Sequence, residues 1–294
     1  MKNRKLRAFS YVEISVVILI VGFLLAAISK GTDMVYDFKL QTARSVTAGS
    51  PLGRIPDLVL WLDAISEEGF DSSLMREGDK VDLWQDTNMQ SQNKDHALQA
   101  TALNQPIYEE KGINGLPALG FNGTNSYLEI PYSEKLNPDN FTFFLVVKPT
   151  IVDDTYRSII TSRDVSPTRG YLMYIADNSK YSPWVGRPHN AWMYLIYPDV
   201  VKAGKSSILA TTYNGDSFKG YEDGYFAHSQ SSTFGRNTSK PFRIGAGSTE
   251  NVTPSYYYGG YIGEIIVFAR ALKEGERKSV EKYLSQKWKI DLVE

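Results

Sequence analysis

The sequence predicts an α+β protein: a long N-terminal helix, then an antiparallel two-sheet β-sandwich, then a closing helix. Three observations predict it. An uncharged aliphatic run, Ile14 to Ile28, follows a basic leader. From Asp57 onward, short apolar or alternating runs are separated by turn signals, which is the pattern of strands. The last stretch, Lys273 to Trp288, returns to helical spacing, with Val280, Tyr283, Leu284 and Trp288 as an apolar stripe and Glu276, Arg277, Lys278, Glu281 and Lys282 as the wet face.

Residues 1–8 read as a leader with four basic residues, Lys2, Arg4, Lys5 and Arg7, and no acid. Such a flank is held on the cytoplasmic side of a membrane. Residues 9–28 then make an apolar helix ~30 Å long, which predicts a membrane span. Glu13 lies inside it, and an acid there costs roughly 2.5–3.5 kcal/mol, which marks it as functional. The helix continues to residue 50, with Met34, Val35, Phe38 and Val46 at roughly helical spacing. Gly49-Ser-Pro51 stops it, residues 51–56 are a linker, and residues 57–294 form the sandwich.

Ala8, Phe9-Ser-Tyr-Val-Glu13 and the aliphatic run that follows resemble the cleavage and methylation motif of type IV prepilins and type II secretion pseudopilins. Ala8 stands where the family usually has Gly. Lys30 and Gly31 stand where many members place a proline. The resemblance implies that a prepilin peptidase cuts between Ala8 and Phe9. It also implies that Glu13 neutralises the amino terminus of a neighbouring subunit as the helices bundle.

Within the sandwich, Leu58 to Leu62, Val81 to Trp84, Ser126 to Ile130, Phe141 to Val147, Tyr156 to Ser162, Tyr171 to Ala176, Trp192 to Tyr197, Ser206 to Tyr213, Phe242 to Ile244 and Tyr261 to Phe268 read as strands. Asp223-Gly224 is the clearest tight hairpin. Leu58-Val-Leu-Trp-Leu-Asp-Ala64, Val81-Asp-Leu-Trp-Gln-Asp86, Asn114-Gly-Leu-Pro-Ala118 and Phe121 to Leu128 resemble a laminin-G/concanavalin A-like lectin domain. The closing Gly260 to Leu272 and the helix after it resemble the end of the bacterial lectin-like subgroup. This resemblance implies a two-sheet jelly roll.

A net charge of −1 gives no general attraction for nucleic acid. There is no cysteine, so no disulfide, and the three histidines lack ligand spacing. The concanavalin-like fold includes glycosidases, which need two carboxyls ~5–5.5 Å apart. No Glu-x-Asp-x-x-Glu run is present, Glu222-Asp223 and Glu67-Glu68 read as solvated loop acids, and catalysis is not expected. Calcium is the cofactor this resemblance would bring. Asp153, Asp154, Asp164, Asp177 and Asn178 stand in suitable loops, and none is assigned as a ligand.

Aromatics are the candidate sugar contacts. Tyr181, Trp184, Trp192, Tyr194, Tyr197 and Tyr256 to Tyr258 are numerous, and most aromatics in a sandwich are core. Tyr181 and Trp184 flank Pro183 in a loop-like stretch and are expected to be exposed, unlike Trp61, Trp84 or Trp288. Tyr256, Tyr257 and Tyr258 are adjacent, so one must face outward. The expectation is a minor or tip-located pilin-like subunit whose head binds a glycan or surface protein. Alternatives are a ligand-free pseudopilin, a major subunit, and an anchored glycosidase. The expected location is the inner membrane of a Gram-negative cell as precursor, then a pilus or pseudopilus.

Overall fold

The computed structural model describes residues 11–70, 75–188 and 191–293. The chain divides into two compact units, the first ending at Gln41 and the second running from Thr42 onward. The helix α1 is Tyr11–Ala48. Gly49 ends it, its N–H donating to the Ser45 carbonyl at 3.2 Å. In the first unit, Ile14 and Val16 to Val21 are all exposed.

Among the described residues no helix is long and apolar enough to cross a membrane. The expected span over residues 9–28 is corrected accordingly, and the expected localisation of the precursor in the inner membrane, which was built on it, falls with it. The physical reason lies in the length of the uncharged run. Ile14 to Ile28 gives ~22 Å of helix against a hydrocarbon core of ~30 Å. Beyond it the same helix carries Lys30, Asp33, Asp37 and Lys39.

The second unit is built from sixteen strands among the described residues. In chain order these begin with β1 (Leu58–Asp63), β2 (Leu83–Trp84), β3 (Ala97–Leu98), β4 (Ile107–Ile113), β5 (Leu116–Asn122) and β6 (Leu128–Ile130). There follow β7 (Phe141–Pro149), β8 (Arg157–Val165), β9 (Thr168–Ile175), β10 (Tyr181–Arg187) and β11 (Ala191–Tyr194). The last five are β12 (Ser207–Tyr213), β13 (Ser217–Glu222), β14 (Tyr225–Ser231), β15 (Phe242–Ile244) and β16 (Gly259–Phe268). The helix α2 (Glu274–Trp288) closes the chain.

The first sheet runs β14-β13-β12-β7-β16-β5-β4, with β1 also paired to β16. The second runs β11-β10-β9-β8-β15-β6-β3-β2. Period-two alternation puts Phe141, Phe143, Leu145 and Val147 of β7 into the core shared with Tyr171, Met173 and Ile175 of β9. Phe144 and Val146, on the other face of β7, are buried as well. Asp223 and Gly224 join β13 to β14 with φ of 49° and 81°. Two consecutive left-handed residues match the twist of the strands they connect.

The helix α2 is fastened by a buried polar centre. Glu264 of β16 accepts from Trp61 Nε1 at 2.7 Å, Tyr283 Oη at 2.7 Å, Lys287 Nζ at 2.8 Å and Trp288 Nε1 at 2.8 Å. Lys287 also meets Asp63 at 2.7 Å, with all three charged side chains inaccessible to solvent. Gly263 makes the approach possible, since a Cβ there would lie 2.4 Å from the Trp288 ring. Val280, Tyr283, Leu284 and Trp288 are buried. The expected wet face needs correction at two positions: Arg277 and Glu281 are also buried, paired to each other, with Arg277 3.7 Å above the Tyr221 ring. The hairpin acids are corrected too. Asp223 is 4 % exposed, held by the Ile208 N–H and by Lys205, because the hairpin folds back on the strand beside it.

Candidate functional site

One face of the second sheet carries a cluster of rings. In β10 the alternation sends Tyr181 and Val185 into the core and Trp184 outward. In β9 it sends Tyr171, Met173 and Ile175 inward and Tyr174 outward. Antiparallel register then sets Trp184 opposite Tyr194 of β11, and Ser182 opposite Tyr174. Tyr156, just before β8, and Tyr256, from the loop before β16, complete the group.

The ring geometry is specific. Trp184 and Tyr194 stack with centroids 4.7 Å apart at 24°. Trp184 meets Tyr156 and Tyr174 edge-on, at 5.9 and 5.7 Å. Tyr256 meets the same two tyrosines edge-on, at 6.2 and 5.8 Å. Trp192 lies 6.1 Å from Trp184. Edge-to-face and offset-stacked pairs suit the ring quadrupoles, at about 0.5–1.5 kcal/mol a pair. The indole N–H of Trp184 donates to Ser182 Oγ at 2.8 Å, and Ser182 Oγ donates in turn to the Leu195 carbonyl. Tyr194 and Tyr256 are 46 % and 42 % exposed, so two of the rings offer an open surface while the others hold them.

A cation, Arg163, is set into this face. Arg163 of β8 donates to Glu250 through Nε at 2.9 Å and Nη2 at 2.5 Å, and to Tyr174 Oη at 2.8 Å. Its guanidinium lies 5.6 Å from the Trp192 ring and 5.9 Å from the Tyr256 ring. Burial alone would lower its pKa, but the Glu250 bond and the neighbouring Tyr174 outweigh it and the pKa is raised. Burial raises the pKa of Tyr156, and a hydrogen bond with Asp177 raises it further. The face therefore presents phenols, two indoles and the Arg163–Glu250 ion pair. Such a surface can stack on the apolar faces of a ligand and exchange hydrogen bonds at its edges.

The sequence-predicted residues divide. Trp184 and Tyr256 are brought together in this face. Tyr181 and Tyr258 are corrected: they are 1 % and 0 % exposed, their rings in the core. Pro183 does not make a loop; it sits within β10, paired with Met173. Tyr257 points elsewhere, close to Tyr127 and Arg243, and burial raises its pKa. Ala8 and Phe9 lie outside the described residues, and Glu13 falls in α1 where its side chain is not described. Tyr156, Tyr174, Arg163 and Glu250 were not singled out as ligand contacts. The available signal was the pair Trp192-x-Tyr194, which period two puts on one face.

Two of the loop acids considered for calcium are engaged within the chain. Asp153 is ion-paired with Arg157, and Asp154 accepts from Ser179 Oγ at 2.6 Å. Among the described residues no three acids or histidines converge as a metal site would need.

A two-sheet antiparallel sandwich with an aromatic outer face defines the class of lectin-like binding domains. Residues 122–276 match the family Concanavalin A-like lectin/glucanases superfamily, and the chain belongs to it. Among solved structures, the binding domain of Paraclostridial Mosquitocidal Protein 1 superposes with a TM-score of 0.56 at 13 % identity, over 78 % of this chain and 52 % of that one. The sialidase of Trypanosoma rangeli, in complex with sialic acid, gives 0.54 at 14 % identity, over 79 % and 33 %. Domain 4 of AbnA, a GH43 extracellular arabinanase from Geobacillus stearothermophilus, gives 0.50 at 17 % identity, over 77 % and 98 %. The chain thus spans about half of the first structure's length and a third of the second's. At these identities the shared property is the fold. A search among curated proteins returns no match.

Proposed function

We propose that this chain is a non-catalytic glycan-binding protein whose ligand stacks on the face formed by Trp184, Trp192, Tyr194 and Tyr256. The observation that carries the reading is the stacked Trp184–Tyr194 pair beside the exposed Tyr256, with Arg163 held between Glu250 and Tyr174. A sugar ring is amphipathic, with apolar C–H faces and a polar rim, and a ring cluster edged by hydrogen-bonding groups matches both. The domain of the arabinanase was solved with arabinotriose, a neutral oligosaccharide, and its fold is shared here. The ion pair adds polar partners and leaves no free charge to demand a charged sugar.

The test is a glycan array probed with the labelled chain. Neutral oligosaccharides are expected to bind. The double variant Tyr194→Ala, Tyr256→Ala should weaken binding at least about tenfold, or ~1.4 kcal/mol. Binding that the double variant leaves intact, or an array with no bound glycan, refutes the assignment.

A second reading concerns α1. Ile14 and Val16 to Val21 are apolar and exposed, and soluble monomers rarely expose such a contiguous patch. Self-assembly through this helix, as in a pilin-type filament subunit trimmed at Ala8–Phe9, is the reading that covers it. Sedimentation of the chain with and without residues 1–41 tests it.

A further inference from the structure

The centre that fastens α2 holds a reactive pair. Lys287 of α2 and Asp63 of β1 meet with Nζ 2.7 Å from Oδ2, and both side chains are inaccessible to solvent. Glu264 of β16 completes a triad, its Oε2 2.8 Å from the same nitrogen and its side chain equally buried. Stability alone is a weak reason for such a site, since apolar residues of the same volume often stabilise as much as a buried ion pair. An amine, a carboxyl group and a second carboxyl in a dry cavity are also the two reactants and the proton carrier of an amide condensation.

The two acids have different surroundings. Glu264 accepts from Trp61 Nε1 and Tyr283 Oη on Oε1, and from Trp288 Nε1 and Lys287 Nζ on Oε2, which fixes its carboxyl plane. Asp63 is less engaged. Its Oδ1 accepts from the Ile65 N–H at 2.9 Å, and its Oδ2 lies against the ammonium without hydrogen-bond geometry. Asp63 is therefore placed as the electrophile and Glu264 as the proton carrier. The Tyr283 hydroxyl lies 3.1 Å from Nζ, and the Tyr283 and Trp288 rings are each 5.5 Å from it. Burial is the main cause that raises the pKa of Glu264, which suits it to take a proton from Nζ.

We infer that the folded chain condenses Lys287 with Asp63 into an intramolecular amide, with Glu264 as the catalytic proton carrier. One proton of the ammonium passes through Glu264 to Asp63. The Nζ lone pair then forms a bond to Asp63 Cγ, and the carbonyl π pair moves onto its oxygen. Nζ gives up a second proton, again through Glu264, to the hydroxyl that leaves. The C–O bond breaks with its electron pair on the leaving oxygen, the carbonyl re-forms and one water departs. The third proton stays on the amide nitrogen, and Glu264 returns to its starting state, so no oxidant or co-reactant is needed. Two buried charges disappear, and their desolvation cost with them. Fixed proximity supplies the rate, since well-oriented groups reach effective molarities of ~10⁵–10⁸ M. The bond ties the first strand to the last helix and closes most of the second unit into one covalent ring.

The test is peptide mass spectrometry of the full chain, isolated unfolded in urea from inclusion bodies and then refolded. The unfolded chain should yield separate linear peptides carrying Asp63 and Lys287. The refolded chain should yield one branched peptide joining them, lighter by one water than its two parts. Linear peptides alone from the refolded chain overturn the inference, and so does a branched peptide that forms equally in urea. Glu264→Gln keeps the shape of the side chain and should slow formation roughly 10²–10⁴-fold, the range for a general acid–base group, with an unchanged circular dichroism spectrum. A Glu264→Gln chain that links at the wild-type rate would refute the catalytic role of Glu264. Should that variant fail to refold, the wild-type peptides decide the inference by themselves.

Discussion

Lys287 shows how one residue holds the chain's last element in place. Its ammonium lies between Asp63 and Glu264, and none of the three side chains reaches solvent. Two carboxylates share one cation, so the balance is kept by the indole and phenol donors of Trp61, Tyr283 and Trp288 on Glu264. Burial raises the pKa of Glu264, Lys287 opposes that rise, and Asp63 adds to it. Replacing Lys287 by Met would leave two buried acids facing each other. Removing one partner of a buried pair costs ~3–5 kcal/mol, and that loss is expected here. The sign with pH follows from the raised folded-state pKa. The folded state then holds the Glu264 proton more tightly than the unfolded chain does. That contribution is complete below the unfolded pKa and is lost as pH rises through the folded one. Without Lys287 the folded value climbs further. The stability gap between Lys287→Met and wild type should therefore narrow towards pH 4 and widen towards pH 8. Urea melts across that range read it, and a gap independent of pH would contradict it.

At the scale of elements, α2 starts on a capping box. The Lys273 N–H donates to Glu276 Oε2 at 2.9 Å, and Arg270 clamps the same carboxylate through two nitrogens at 2.9 and 2.7 Å. The Arg270 bonds are the main cause that holds Glu276 down at about 2; burial opposes them, and the Lys273 N–H adds to them. A depressed folded-state pKa gives stability that is complete above the unfolded value and lost as pH falls towards 2. Glu276→Gln is expected to cost about 0.5–2 kcal/mol at pH 7, the range for losing a helix cap, and to converge on wild type near pH 2. Denaturant melts at both pH values check it. The existence of α2 was legible because Val280, Tyr283, Leu284 and Trp288 recur at helical spacing. The burial of Arg277 and Glu281 was not legible, because a charged pair four residues apart reads as surface until Tyr221 is known to cover it. Similarly, Trp184 was legible as a partly exposed aromatic, while its ring partner Tyr174 was not. Ser182 and Trp184 lie on one face of β10, but which residues of β9 share that face depends on a register that no local pattern states.

For the whole molecule, the sandwich was legible, whereas among the described residues no helix is long and apolar enough to be the expected span. Turn signals and period-two runs give two antiparallel sheets without reference to any partner, since most strands bury one face or both. The N-terminal segment misled because Phe9 to Ile28 was read as one 20-residue span, whereas Glu13 interrupts it and leaves 15 uninterrupted uncharged residues, Ile14 to Ile28. What that segment does is separable from what the sandwich does. Every residue of the hydrophobic core cluster follows Thr42, from Val59 to Val267. The aromatic face is likewise built only from residues beyond Thr42. A chain lacking residues 1–41 should therefore unfold in one transition at the melting temperature of the full chain's sandwich and keep its glycan-array profile. The exposed apolar run Ile14 to Val21 should in contrast make the full chain associate. Sedimentation at micromolar concentration is expected to show larger species for the full chain and a monomer for the shortened one. A monomeric full chain would remove the assembly role from α1. A shortened chain that folds but no longer binds glycans would place part of the binding surface in residues 1–41 and refute the assignment to the aromatic face.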